Sequence, residues 1–519
     1  MARIYASGAL NTTALVVPNL YVQIVPPATL QNGVSTGRIG IVGTAGWGPV
    51  NTPMVVGTMS DYIATFGTKQ ALTSDAGLTV DIAILQGASD FRVVRVTDGT
   101  DTAASAIADI FVGTGNLATL TCKYTGSLGN NNTWSLSLSS KPSTAIFFVK
   151  NTSTGVSESF TIPTTGTSIS TDNFVAAING TDGVNTPSNI FIASPASTAS
   201  SVDVSTTRTG ACLGGTDGGV PADTDFIGVD GTPRTGMYAL RGQGCAISLL
   251  HSLSINTSWT TQASFGLGEG VYMIACGPSG ETISNAVATK SSAGLDSYAV
   301  KVMFGDWLWW QDDTNGLMLV PPQAFVAGRL AALTPAQSSL NKQMYGIVGS
   351  QKSGLVSSGG ALTYSDAELE ALFDAGIDVI CNPAPGGSYW AARSGHNSSS
   401  VATTNGDNYT RMTNYLAETF VTGMGTYVGE LINSTLFTNI RSTMLAYLGG
   451  LLSQGILGST DGSTPYAVVC DTTNNPAART ALGYVQCDVQ VQYQGINEKF
   501  IVNLQGGSSV TVSTASGSV

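Results

Sequence analysis

The chain has 519 residues, 42% of them hydrophobic but only 10% charged, with a formal net charge of −12. That length exceeds what one compact core organises and points to several domains, and the scarcity of charge leaves Ser, Thr, Asn, Gln and Gly to cover the surface, which suits packing against further copies of the chain. The absence of any basic run argues against direct nucleic-acid binding, no apolar stretch approaches the ~20 residues of a membrane helix, and Met1–Ser7 lacks the apolar core of a signal peptide, which predicts cytoplasmic synthesis.

The first segment has β-prone, prolines-ended runs with little helical period: Ala14 to Pro18, carrying Leu15, Val16 and Val17, and Leu20 to Pro26, carrying Tyr21 and Val22. Such a segment has no core of its own and is expected to add a strand to something else. A strand at Gly40–Val42 then runs into a glycine- and proline-broken turn, Gly43 to Pro53. A short extended piece (Met54–Val56) leads to a capped helical turn that stops at Gly67. Leu78, Ile82 and Leu85 mark a short helix over 78–86, and Phe91–Val96 a strand.

From about Thr97 to Gly219 the composition turns to Thr, Ser, Gly and Asn, with short β-like runs at 117–124, 134–138, 146–150, 157–162 and 189–193. Turn clusters separate them, which predicts an inserted β-rich domain. Beyond it, helical and strand periods alternate. Val271–Cys276 reads as a buried strand, Pro321-Pro322 opens a helix to about Leu333, and Ser365-Asp366-Ala367-Glu368 is a capping box stopped by Gly376. Thr410–Phe420 reads as a helix, and Leu436, Ile440, Met444, Leu448 and Leu452 repeat every four residues on a longer one. Strands are predicted at 466–470, at 484–493 (with Val489 and Val491) and at 499–504. The tail is a glycine joint followed by a β-prone piece with Val510 and Val512.

Chemistry-bearing patterns are scarce. The two histidines, His251 and His396, stand in no zinc-binding context, and His396 reads as solvated in its loop. Neither a G-x-S-x-G elbow nor a G-x-x-x-x-G-K-[ST] phosphate loop occurs. Seven cysteines without a C-x-x-C pair read as inert thiols, Asp312-Asp313 as a solvated turn, and Trp307–Trp310 as a packing or interface patch. No catalytic residue, metal ligand or cofactor site is expected.

Several segments resemble the contractile phage tail sheath family, in that family's order. Gly43–Pro53 is similar to its "G-x-x-x-x-G-P-x-N-x-P" turn, followed by a helix ending Phe66-Gly67. Arg92–Val96 resembles its "V-V-R-V" strand, with Gln86–Asp90 in place of a glycine pair. Leu213–Gly218 is similar to "L-x-G-G-[ST]-D-G", and Val320–Gly328 to "V-P-P-S-G-x-V-A-G". Tyr389–Ser394 resembles "x-W-G-A-R-T" with Ala391 for the glycine, and Cys470–Pro476 resembles "C-D-x-x-T-N-x-P". Thr410-Arg411-Met412 stands where the family has two arginines, so a salt bridge there is open.

The resemblance implies an α+β fold: a mixed α/β core sheet with helices, an inserted β-rich domain and extended terminal arms. The expected division is an N-terminal linking arm (1–24), a first part of the core (25–96), the insert (97–219), the rest of the core (220–505) and a C-terminal linking arm (506–519). It further implies a non-enzymatic subunit that forms stacked hexameric rings around a tail tube and contracts from a metastable extended state to drive the tube through a host envelope. Implied partners are further copies of the chain, the tail tube protein, and baseplate and tail terminator proteins, within a virion tail. Expected linking residues are Leu15, Val16, Val17, Tyr21, Val22, Val489, Val491, Val510 and Val512. Alternatives are the sheath of a contractile bacteriocin or secretion-like particle, a Ser/Thr-rich surface adhesin, or an enzyme with an unrecognised site.

Overall fold

The computed structural model describes residues 3–5, 21–23, 33–106, 118–195, 201–355, 364–504 and 506. Short strands β1 (Arg3–Tyr5) and β2 (Tyr21–Gln23) pair in parallel, with Ile4 opposite Val22. The core begins with β3 (Arg38–Gly43), β4 (Met54–Val56), α1 (Met59–Phe66), α2 (Ala76–Leu85) and β5 (Asp90–Arg95). The predicted cap of α1 is present: Thr58 Oγ1 accepts from the Asp61 amide, and Asp61 Oδ2 accepts from the Thr58 amide.

Beyond residue 219 come α4 (Asp223–Ile227), β15 (Ile247–Leu250), α5 (Trp259–Glu269), β16 (Tyr272–Cys276), α6 (Ile283–Ala293) and β17 (Val300–Met303). Later, α8 (Asp366–Asp374) leads to β22 (Ile377–Asp378). These strands form a seven-stranded sheet in the order β22-β17-β16-β15-β3-β5-β4, parallel except at β4. Helices cover both faces, so the inner strands are apolar on both sides. One face packs Ile39, Ile41, Phe91, Val93, Leu249 and Ile274 against α2 and α7 (Gln323–Ala332). The other packs Val42, Val94, Met273 and Val302 against α5, α6 and α8. A Cβ added to Gly328 would sit 2.6 Å from Ala83 Cα, so glycine is what lets α7 close on α2.

A second sheet orders β19 (Gly316–Val320), β18 (Leu308–Asp312), β20 (Ile347–Ser350) and β21 (Gly354–Leu355). It buries Trp307 and Trp310, which makes that cluster core packing. Asp312 departs from its expected solvated state. It is buried, and Lys69 Nζ lies 2.6 Å from its Oδ1 while also meeting Asp81 and the exposed Asp313. The ammonium occupies the centre of the only acidic triad grouped closely enough to hold a metal among the described residues.

Residues 103–211 carry their own sheets. β10 (Ser157–Pro163), β9 (Thr144–Asn151), β8 (Asn132–Leu138) and β14 (Arg208–Ala211) form one. β12 (Phe191–Pro195), β7 (Ala118–Thr125) and β6 (Ala103–Ala106) form another, and β11 (Ser168–Ser170) pairs with β13 (Ser201–Asp203). Phe147, Phe160, Phe174 and Trp134 centre their core. A helix absent from the sequence reading, α3 (Thr171–Asn179), packs there, N-capped by Ser170 and closed by Gly180 at φ 67. Entry and exit lie side by side, with Thr102 and Thr216 exchanging backbone hydrogen bonds at 3.1 and 3.2 Å.

The last part of the chain holds β23 (Ile380–Cys381), β24 (Ala391–Ala392), α9 (Asp407–Met424), α10 (Ser434–Ser453), β25 (Tyr466–Val469), α11 (Ala477–Thr480) and β26 (Asp488–Val491). Leu436, Ile440, Met444 and Leu448 are buried as expected, but Leu452 is 37% exposed and Leu451 is buried instead. Four steps of four residues turn a helix about 160° away from its starting direction, so a strict i+4 series leaves its own face.

Candidate subunit-linking surface

The glycine- and proline-broken turn Gly43–Pro53 is a structural junction. Arg95, at the end of β5, is fully buried, and its guanidinium donates to the carbonyls of Ala45, Gly48 and Thr125 at 2.8 to 2.9 Å. Asp101 Oδ2 lies 3.5 Å from it. One side chain thereby ties the turn to the end of β7. Gly48 has φ 97, and a Cβ there would lie 2.7 Å from the Phe66 ring. Asn51 takes the left-handed region at φ 53 and accepts from the Gly236 amide through its side chain. The arrangement has donors satisfied by main-chain oxygens and no reacting group.

The described parts of both chain ends next to the core meet at α9. The Val34 amide donates to Thr419 Oγ1 at 3.3 Å, and Gly33 abuts Tyr415. On the C-terminal side, Asn408 Nδ2 donates to the Gln494 carbonyl, and the Tyr409 and Tyr493 rings lie 5.9 Å apart. α9 is itself anchored to the sheet by buried charge. Lys301 Nζ on β17 lies 2.6 Å from Asp378 Oδ2 of β22 and 3.1 Å from Asp407 Oδ1, the first residue of α9. Asp378 also accepts from the Ser394 and Gly395 amides, and Asp407 from Tyr272 Oη and the Ser339 amide. The two neighbouring carboxylates raise the Lys301 ammonium above its ordinary pKa against the cost of burial, and Lys301 with the amide donors holds Asp378 below the usual carboxylate range. The visible signal was a lysine and an aspartate inside apolar strands, Val300-Lys301-Val302 and Ile377-Asp378-Val379. Arg411, where a salt bridge was open, is buried and donates instead to the carbonyls of Leu333 and Thr334, both at 2.8 Å.

β25 and β26 form a two-stranded antiparallel ladder from Tyr466↔Val491 to Val469↔Asp488. Val489 and Val491 face the core of α9 and α10, packing near Met444, Leu448 and Val468. Their strand is thus paired within the chain on one edge and unpaired on the other among the described residues. The Cys470–Pro476 loop is fixed by Asn475, whose side chain exchanges hydrogen bonds with the Gln486 backbone at 2.6 and 2.8 Å. The strand expected over 484–493 is confined to 488–491, and 499–504 has no ladder partner among the described residues. Phe500, Ile501, Val502 and Leu504 are between 68% and 88% exposed. The segment is held upstream by Glu498, whose Oε1 lies 2.8 Å from His396 Nε2, so His396 is paired rather than simply solvated. Tyr21 and Val22 lie on β2 beside β1. Leu15, Val16, Val17, Val510 and Val512 lie outside the described residues.

Residues 36–96, which contain the Arg95 junction and its turn, match the family model for the tail sheath protein Gp18 domain III N-terminal region. Over most of its length the chain also superposes on solved sheath structures. It is similar to the sheath tail protein Lin1278 of Listeria innocua at 15% identity and TM-score 0.58, over 85% of this chain and 90% of that one. The fold is that of a tail sheath protein. The sheath tail protein DSY3957 of Desulfitobacterium hafniense gives 15% identity and TM-score 0.54, over 87% of this chain and 93% of that one. The PVC sheath of an extracellular contractile injection system, in its contracted state, gives 12% and 0.52 over 96% and 99%. Comparison with curated proteins finds no match. Among the described residues of this sheath fold, no helix is long and apolar enough to cross a membrane.

Proposed function

We propose that the chain is the structural subunit of a contractile tail sheath, polymerising as stacked hexameric rings around a tail tube and shortening from a metastable extended state. The observation that carries this reading is the exposed, largely apolar segment Lys499–Leu504, on a sheath fold, which follows a two-stranded ladder and, like that ladder's outer edges, has no strand partner among the described residues. An apolar run left in water is unfavourable by about 25 cal/mol per Å². Seating it as an added strand on a neighbour's ladder removes that exposure and gains hydrogen bonds of roughly 0.5–1.5 kcal/mol each. The N-terminal arm, with Leu15, Val16, Val17, Tyr21 and Val22, and the C-terminal arm, with Val510 and Val512, would be the remaining links, while Val489 and Val491 fix the receiving ladder. Linked subunits then rotate as rigid bodies without separating.

The five-part division of the chain, with 97–219 as an outward-facing insert, belongs to the same proposal; the adjacent entry and exit strands at Thr102 and Thr216 support it. The tube, baseplate and terminator proteins are its proposed partners, and the role is mechanical rather than catalytic. Similarity to the PVC sheath supports a phage-like injection particle as a second reading beside a virion tail. Removing 499–519 tests the proposal: the shortened chain should stay folded and lose polymerisation. Normal tubes from that chain would refute the linking role.

A further inference from the structure

Cys470 directly follows β25 and Cys487 directly precedes β26, so they face each other one step beyond the Val469↔Asp488 pair. The Gln492 amide donates to the Pro465 carbonyl at 2.7 Å, which makes that pair a hydrogen-bonded one. Alternation along the ladder then makes Val469↔Asp488 hydrogen-bonded and the position of the two cysteines non-hydrogen-bonded. At such positions the Cα atoms stand about 4.5 Å apart, within the roughly 4.4–6.8 Å that a disulfide spans. Both side chains continue the inner face of Val468 and Val489 and pack together beside Leu436, Phe437 and Ile440. Each thiol contacts the other, and Cys487 Sγ also lies 3.6 Å from Met444 Sδ. Cys470 is buried, whereas Cys487 is partly open to solvent.

We propose that Cys470 and Cys487 are a cross-strand disulfide site, closed by a small-molecule disulfide such as oxidised glutathione. Cys487 loses its proton to solvent, attacks one sulfur of that oxidant and releases one small thiolate. Cys470, deprotonated in turn, attacks the Cys487 sulfur of the mixed disulfide and expels the second small thiolate. Two protein thiols are oxidised and one small disulfide is reduced to two thiols. Burial and the neighbouring Cys470 push the Cys487 thiol up to about 12, so closure accelerates as pH rises. The bond would staple the loop between the two strands, the loop that Asn475 already shapes. Cys122 and Cys212 are a second contacting pair, but both are buried in the insert and no sulfur is open to an oxidant.

The test uses the full-length folded protein incubated with oxidised glutathione at neutral and alkaline pH, alkylated without reduction, digested and weighed. The expected product is a Cys470–Cys487 linked peptide pair, lighter by two hydrogens, formed faster at alkaline pH and reversed by dithiothreitol. Cys122 and Cys212 should alkylate only after denaturation. Cys470→Ser should convert the product to a lasting glutathione adduct on Cys487. A lasting adduct in the unsubstituted protein, a link to a second chain, or both thiols remaining free in the folded protein while the denatured chain oxidises would each overturn the assignment.

Discussion

Lys301→Met probes the charge cluster that seats α9 on the sheet. Lys301, Asp378 and Asp407 are all fully buried, and among the described residues the lysine is the sole cation within 4 Å of either carboxylate. Met preserves the length of the side chain and removes the charge, leaving two carboxylates facing each other. Breaking a buried pair in this way costs about 3–5 kcal/mol. The carboxylates keep their amide and hydroxyl donors, so the lower end of that range is expected. The assay is hydrogen exchange at the Ser339, Ser394 and Gly395 amides, which donate to the two carboxylates; a loss of that size speeds exchange roughly 10²-fold or more. The sign with pH follows from linkage. In the unsubstituted protein Asp378 is held low, so its contribution is present above the ordinary carboxylate pKa of 3.8 and lost as pH falls below it. In Lys301→Met one carboxylate is pushed up and is relieved by protonation, so the difference between the two proteins narrows as pH falls. Adding Asp407→Asn should recover part of the loss, with a coupling of about 1 kcal/mol or more. A Lys301→Met protein whose exchange is unchanged at neutral pH would refute the reasoning.

Asp217→Ala removes the acceptor of the Ser127 amide and of Gln70 Nε2, 2.7 and 3.2 Å away, where the β-rich region of 103–211 meets the core; a destabilisation of about 1–3 kcal/mol is expected in urea unfolding followed by fluorescence. Gly48→Ala places a Cβ against Phe66 in a left-handed backbone and should lower the melting temperature of the protein, seen by calorimetry. Burial raises Glu281 from 4.5 to about 7, so the folded state binds this proton more tightly and its contribution weakens as pH rises through that interval; Glu281→Gln should therefore stabilise above it and be neutral below, read from melting temperature against pH. Phe500→Asp with Ile501→Asp should abolish sedimentable polymer and leave the monomer's melting temperature unchanged, since both side chains are exposed.

Local signals carried much of the fold. Thr58 with Asp61 and Ser365 with Glu368 announce helix starts because capping is a matter of neighbours in sequence. Short Ser/Thr-rich runs announce the strands between 118 and 195 because alternation in a strand is equally local. What stayed hidden depends on partners far along the chain. Lys69 meets Asp312 across 243 residues, Arg95 closes a turn on carbonyls, and His396 meets Glu498 across 102 residues. α3 was hidden for another reason: its Thr, Asp and Asn content is that of a turn, and the packing of Phe174, Ala177 and Ile178 adds to the Ser170 and Gly180 caps to hold it as a helix. The cysteine pair needed the register of β25 and β26, which no spacing rule supplies.

A cryo-electron microscopy reconstruction of the polymer formed by the full chain tests the central claim most directly. The account predicts a tube in which Lys499–Leu504 lies as a strand beside β25 or β26 of an adjacent subunit. A tube in which that segment and the N-terminal arm fold back entirely on their own subunit would contradict it.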